Sequence, residues 1–209
     1  GEKLDYQAVA KKLEAIRAKY GNDKVNVHII GFAKAVGDIA DGAAGVLVFF
    51  VVAFFITALL LLWYSGSAKL TGLALICAFV PVVWLLGILP LIGFGIDPLS
   101  ILVPFLIFSI GVSHAVQMTN AWKLEVVAGA DGFTAAKNSF SSLFVPGAMA
   151  LLANAVGFMV MIYIAIDIVR ELAVTASLGV AVMIVTNKML LPILLSYLKL
   201  TPAETEKLR

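Results

Sequence analysis

The stretch AAGVLVFFVVAFFITALLLLWY, residues 43–64, decides the class of fold. No residue in this stretch carries a charge. A helix needs roughly 20 consecutive apolar residues to cross a hydrocarbon core about 30 Å thick. The stretch has that length and that composition, and it therefore predicts a transmembrane helix.

Four further apolar runs follow along the chain, at residues 70–92, 99–122, 142–166 and 172–198. The composition agrees with them, because 62% of the residues are hydrophobic and only 13% are charged. Soluble domains average about 25% charged residues. We therefore expect an all-α polytopic membrane protein whose five spans form a bundle over residues 43–199.

The segments on either side of the bundle are more polar. Residues 1–42 begin with apolar residues at helical spacing, continue in a strand-like run over residues 25–30, and return to helical spacing before the first span. This order predicts a small α/β N-terminal segment with a helix leading into the membrane. Residues 133–140 indicate a short interfacial helix, and residues 200–209 a tail or linker.

Basic residues near the span ends predict the orientation. On one side of the membrane these residues are Lys69, Lys123, Lys137 and Lys199, and on the other side they are Lys34 and Arg170. Because Lys and Arg are concentrated in cytoplasmic loops, we expect the lysine-rich side to be cytoplasmic. The N-terminal segment would then lie outside the cytoplasm and the C-terminus inside it.

Two ionisable side chains fall within the predicted spans, His114 in the third and Lys188 in the fifth, and Asn154 lies near the middle of the fourth. Ionisable groups are costly in hydrocarbon, so each one is a candidate functional residue. His114 could relay protons, since histidine titrates near pH 6.5 in water, or it could be a neutral residue fixed by interhelical hydrogen bonds to residues such as Asn154. Lys188 could extend to the interface or pair with a carboxylate.

A polar sector is predicted on the third span. Residues three and four apart in a helix share a face. The sector comprises Ser109, Ser113, His114, Gln117 and Asn120. We expect it to face a hydrated path or buried protein in preference to lipid.

Other chemistry has no motif in the sequence. There is no P-loop, no nucleophile elbow and no zinc-spaced set of Cys or His residues, so we expect no enzyme activity, no catalytic residue, no metal and no cofactor. The net charge is +2 and no basic stripe appears, which argues against a nucleic-acid partner.

Three segments resemble the MMPL-like, predicted-exporter branch of the RND (resistance-nodulation-division) superfamily. They are LVPF at 102–105 leading to GVSHAVQ at 111–117, ANAVGF at 153–158, and ASLGV at 176–180 leading to LPILL at 191–195. The resemblance implies helices two to six of a six-helix half, preceded by the end of a periplasmic porter-like domain. It also implies a place in the bacterial inner membrane.

The resemblance further implies partners and a function. The partners would be the remaining RND half, with its second six helices and periplasmic domains, membrane lipids, further copies of the protein and periplasmic proteins. The implied function is proton-motive-force-driven export of hydrophobic or lipid-like molecules. The chain has His114 where many RND transporters place acidic residues, and Asn154 where related sequences often carry Asp. An alternative is a lipid-binding sensory or scaffold module similar to sterol-sensing domains; assistance to protein translocation is a third.

Overall fold

A computed structural model of the protein describes residues 6–22, 25–94 and 100–207, and those residues form helices without a strand. The α-helices are α1 (Tyr6–Tyr20), α2 (Phe32–Ser65), α3 (Ala68–Ile88), α4 (Val103–Val127), α5 (Gly132–Val160), α6 (Asp167–Met183), α7 (Leu191–Ser196) and α8 (Pro202–Lys207). Short 3₁₀ turns span Leu89–Ile92, Ser100–Leu102 and Met161–Tyr163, and a π-helix spans Ile184–Leu190.

Five of the helical stretches are long and apolar enough to cross a membrane, which confirms the predicted number of spans. They are Gly45–Ser65, Ala68–Ile92, Ser100–Val127, Gly132–Tyr163 and Asp167–Ser196. In hydrocarbon a backbone N–H or C=O group finds no water, so a segment that crosses must satisfy its hydrogen bonds internally, as a helix does. The chain is a multi-pass, all-helical membrane protein.

At two places the sequence predicts a separate short helix where the structure has one continuous helix, and these predictions are wrong. The helix expected before the first span and the span itself are the single helix α2, and the interfacial helix expected at residues 133–140 is the beginning of α5. α2 contains no proline that would end it. α5 starts where the Asp131 carboxylate accepts hydrogen bonds from the backbone N–H groups of Phe133 and Thr134, at 3.2 and 3.3 Å, and it continues through Pro146.

The strand-like run at residues 25–30 forms no strand among the described residues. The backbone pairs only in an isolated antiparallel bridge between Asn22 and Val25. A β-strand needs a neighbouring strand for its N–H and C=O groups, and the described part of the segment provides none. The described N-terminal residues are therefore helical where they are regular.

The chain divides into two compact units, residues 1–53 and 54–209, and the boundary falls within α2. In the first unit, Lys34 Nζ donates to Glu14 Oε1 at 2.7 Å and also to the carboxylate of Asp38. The hydrogen bond from Lys34 lowers the pKa of Glu14 below its ordinary value. α1 is thereby joined to the first turns of α2.

In the second unit, α3, α4 and α6 pack closely. Gly111 of α4 lies against Ala78 of α3, where a Cβ on the glycine would stand 3.2 Å from the alanine Cα and carbonyl oxygen. Without a strong hydrophobic force between helices in lipid, such close approach of small residues provides the packing energy. Ala115, one turn further along α4, is also fully buried.

One membrane face of this unit is held together by turns and by the C-terminal helix. Trp122 Nε1 donates to the carbonyl oxygen of Gly132 at 3.0 Å, which joins the end of α4 to the start of α5. Lys69 Nζ bonds Glu204 Oε1 of α8 at 2.7 Å. Glu204 also accepts from the backbone N–H and the hydroxyl of Thr201, and this capping box starts α8.

Replacing Trp122 with Phe is expected to reduce the free energy of unfolding by about 1–3 kcal/mol, because it leaves the Gly132 carbonyl without its donor in a buried place. The measurement is equilibrium unfolding in mixed micelles followed by circular dichroism. Trp84→Phe is the matched control, since Trp84 is 46% exposed. Equal losses in the two variants would contradict a role for the hydrogen bond.

Acidification is expected to release α8. The hydrogen bond from Lys69 lowers the pKa of Glu204 to about 2, from an ordinary value of 4.5. A carboxylate with a lowered pKa stabilises the fold above its ordinary pKa, and that contribution is lost as the pH falls from 4.5 through about 2. Hydrogen exchange at the amides of residues 203–207 should rise in that window.

The Glu204→Gln variant should show the rapid exchange already at neutral pH, because it lacks the charge. Glu206→Gln, on the exposed side of the same helix, serves as the control and should exchange as the unchanged protein does. Slow exchange in Glu204→Gln would show that α8 is held by other contacts.

Candidate functional site

The last span changes its helical type halfway through. α6 ends at Met183, the π-helix Ile184–Leu190 follows, and α7 continues from Leu191. Pro192 provides the physical reason, since it has no N–H to donate and its ring would clash with the carbonyl of Lys188 four residues earlier in a regular α-helix. The N–H of Leu191 instead bonds the carbonyl of Thr186, five residues back. Short π-helical turns are rare and often mark functional sites.

Three consecutive polar residues of the π-helix are completely buried. Thr186, Asn187 and Lys188 each have 0% exposure. Successive residues in a helix point in directions roughly 100° apart, so three neighbours are all buried only where protein surrounds the segment. The π-helix packs against α3, α4 and α5, which together surround it.

The Lys188 side chain lies across the bare backbone of α5 at Gly147. A Cβ built on Gly147 would overlap Nζ and Cε of Lys188, and it would stand 3.2 Å from Cδ. Only glycine leaves room for the amine at this position. The amine does not extend to the membrane interface, as one of the two interpretations of Lys188 required.

His114 is the second buried ionisable side chain of the spans. It is 8% exposed on α4, and α4 packs against the π-helix that carries Lys188. We call His114, Gly147, Asn187 and Lys188 the polar centre. It joins one residue of α4, one of α5 and two of the π-helix.

Several polar atoms of the polar centre have no hydrogen-bond partner among the described residues. They are Lys188 Nζ, Asn187 Oδ1 and Nδ2, and His114 Nδ1. A buried group without a partner costs about 1–3 kcal/mol, and more when it is charged. Proteins retain such groups chiefly where they bind a proton, a water molecule, an ion or a substrate.

The chemistry of the polar centre is that of proton exchange and hydrogen bonding. The imidazole and the amine each take up and release a proton, and the Asn187 amide both donates and accepts. No residue of the centre is acidic. Among the described residues, no group of three His, Cys, Asp or Glu side chains is placed to hold a metal ion.

The structure separates Asn154 from His114. Asn154 is exposed on α5, seven residues from Gly147, which corresponds to about 10 Å along the helix. It makes no hydrogen bond to His114, so Asn154 is not a residue that fixes a neutral His114. Asn154 instead faces outward from the bundle.

The predicted polar sector of α4 divides in two. His114 faces the interior, whereas Ser109, Ser113 and Gln117 are exposed and Asn120 is half-buried. We call Ser109, Ser113 and Gln117 the α4 stripe; they recur every four residues on one face of the helix. The stripe therefore lies on the outside of the described bundle and does not line a path within it.

Sequence reasoning identified His114 and Lys188 but missed Asn187 and Gly147. Asn187 is next to Lys188 in an apolar run, and a polar residue at that place could have been identified from the sequence as a candidate. Gly147 carried no signal, because only the structure shows which glycine lies under the amine. Pro192, four residues after Lys188, was the signal for the change of helical type.

Comparison with known proteins identifies no relative of this chain: no protein-family model, no curated protein and no solved structure matches it.

Replacing Gly147 with Ala is expected to lower the free energy of unfolding by about 1–3 kcal/mol, because the added methyl group displaces the buried amine. Gly157→Ala, on the same helix with nothing within 4 Å of its Cβ, should be neutral or slightly stabilising. The measurement is unfolding in mixed micelles.

A double-mutant cycle separates this contact from a general intolerance of α5. Lys188→Leu removes Nζ and Cε, the two atoms that the new methyl group would overlap, so the loss caused by Gly147→Ala should largely disappear in that background. Additive losses in the double variant would contradict the contact.

Proposed function

We propose that this chain is the membrane part of a proton-motive-force-driven exporter of hydrophobic or lipid-like molecules, of the RND type. The observation that supports it is the polar centre, where the Lys188 amine and Nδ1 of His114 are buried inside a bundle of apolar helices without hydrogen-bond partners among the described residues. Both groups exchange protons, and their burial costs free energy that a purely structural role would not recover.

The proposal assigns roles to the residues of the centre. Lys188 and His114 take up and release the coupling proton, and Asn187 donates or accepts hydrogen bonds as their charge changes. An N–H group bonds the carbonyl five residues back in a π-helix and four residues back in an α-helix, so the two forms differ by a shift of one residue. The segment Ile184–Leu190 is therefore the element that would change its hydrogen bonding when the charge changes.

The α4 stripe and Asn154 favour a partner within the membrane. Polar side chains facing lipid are unfavourable, and hydroxyl and amide groups of neighbouring transmembrane helices bond one another. We propose that the stripe packs against the remaining half of the transporter or a further copy of the chain. Asn154 would pair with a polar group of a second partner helix.

The proposal includes an orientation and a location. The lysine-rich ends of the spans would be cytoplasmic, and residues 1–42 would be the end of a periplasmic porter-like domain above the bacterial inner membrane. The periplasmic part would handle the substrate, and other periplasmic proteins could receive it.

A lipid-binding sensory module is the second candidate, and one observation favours it. The polar centre has no carboxylate to pair with Lys188, although a proton path built on acidic residues is the usual arrangement in the transporters that the sequence resembles. A sensor has no thermodynamic need for a proton gradient.

The test is lipid movement in proteoliposomes that contain the chain in its native assembly, with and without an imposed pH gradient. An exporter should move a fluorescent lipid only with the gradient, and Lys188→Met should reduce the rate by roughly tenfold or more. Lys199→Met, which removes a lysine outside the centre, is the control. Lipid binding that ignores the gradient, with no movement in any variant, would exclude the pump and favour the sensor.

A further inference from the structure

An apolar groove runs along the outer surface of the second unit. It is about 410 Å³ in volume, within the range of small-molecule sites. Ile88 and Ile92 line it on one side and Ala155, Val156 and Met159 of α5 on the other, with Val174, Ser177, Leu178 and Ala181 of α6 between them. Because α6 packs against both α3 and α5, it forms the floor of the groove.

The groove offers hydrocarbon contact and almost no polar contact. Among the described residues that line it, Ser177 alone is polar, and its hydroxyl already donates to the Ala155 carbonyl oxygen at 2.8 Å. Val156, Met159 and Ile92 are exposed along its rims. A flexible apolar chain can be buried against such a surface without losing hydrogen bonds, whereas a polar molecule would lose them.

The groove leads to a guanidinium group. Arg170 lies one turn before Val174 on the same side of α6, and the helix rises about 6 Å between these two residues. Its Nε donates to the carbonyl oxygens of Ile162 and Ile164, at 3.3 and 3.0 Å, which holds the side chain on the turn between α5 and α6.

This anchoring leaves donors available. Nη1 bonds the highly exposed Asp167 at 3.4 Å, a weak surface pair. Of the five N–H groups of an arginine, three then have no partner among the described residues, and they lie in the plane that suits phosphate oxygens. From Arg170 to Ala181 the helix rises about 16 Å, close to half of a hydrocarbon core of about 30 Å.

We propose that this groove binds a phospholipid, with one acyl chain along α6 between Ile88 and Val156 and the phosphate at Arg170. The inference rests on the proposed function and deepens it, because it names a phospholipid as the class of lipid-like molecule that the protein handles. The charge at one end and the hydrocarbon along one leaflet together distinguish a phospholipid from a neutral lipid and from a protein helix.

The test uses the whole chain in phosphatidylcholine vesicles that contain phosphatidylglycerol with a diazirine at the middle of one acyl chain. Illumination followed by peptide mass spectrometry should find adducts concentrated on Met159, Val174 and Leu178. Ala181→Phe, which places a ring at the inner end of the groove, should reduce these adducts several-fold. Ala153→Phe, on an exposed part of α5 outside the groove, is the matched control.

Competition identifies the headgroup contribution. Unlabelled phosphatidylglycerol should displace the probe, whereas diacylglycerol, which lacks phosphate, and inorganic phosphate, which lacks a chain, should compete roughly tenfold less well. In Arg170→Gln the advantage of phosphatidylglycerol over diacylglycerol should vanish, and Arg17→Gln in α1 should leave it unchanged.

Several results would overturn the proposal. Labelling spread evenly around the bundle would mean an ordinary lipid boundary, and equal competition by diacylglycerol would remove the role of Arg170. Crosslinks from the groove to protein in cell membranes, without lipid adducts, would show that a helix fills it. Labelling requires no pH gradient, so failure of lipid transport with groove labelling intact would refute the pump and keep the site.

Discussion

The constraint on which this structure depends is the lack of water for the backbone in hydrocarbon. Each span must satisfy its own N–H and C=O groups, so departures from the α-helix are restricted to places that protein encloses. The π-helix Ile184–Leu190 meets that condition, because α3, α4 and α5 pack around it. Pro192 causes the change from α-helical to π-helical hydrogen bonding, and the surrounding helices keep the affected backbone groups away from lipid. The same enclosure buries Asn187 and Lys188.

Hydropathy predicts the number of spans well because exposing backbone or charge to lipid costs much more free energy than a helix cap or an intrinsic propensity contributes. It predicts helix ends poorly. The start of α5 depends on the Asp131 cap, and α2 runs without a break from Phe32 because no proline interrupts it. The isolated bridge at Asn22 and Val25 illustrates a further difficulty, since β propensity in one short run is ineffective without a second strand.

The candidate site could be predicted only in part, for a geometric reason. A helical wheel assigns residues to a sector, but it does not say what the sector faces. His114 and Ser113 are neighbours in sequence, yet the first points into the bundle and the second away from it. Lys188 was identifiable by its cost in the membrane, whereas its resting place on Gly147 depends on which helices meet, and no local pattern contains that information.

The last span contributes residues to both the groove and the polar centre, so the two sites are mechanically connected. Ala181, at the inner end of the groove, lies three residues before the start of the π-helix at Ile184, and Lys188 follows Ala181 by seven. The Ser177 bond to Ala155 joins α6 to α5, and Lys188 contacts α5 again at Gly147. The last span is therefore fixed to α5 at two places, at Ser177 before the irregular segment and at Lys188 within it. A shift of α6 caused by a chain in the groove would be taken up in the π-helix, where the amine lies, because the regular helix on either side resists it.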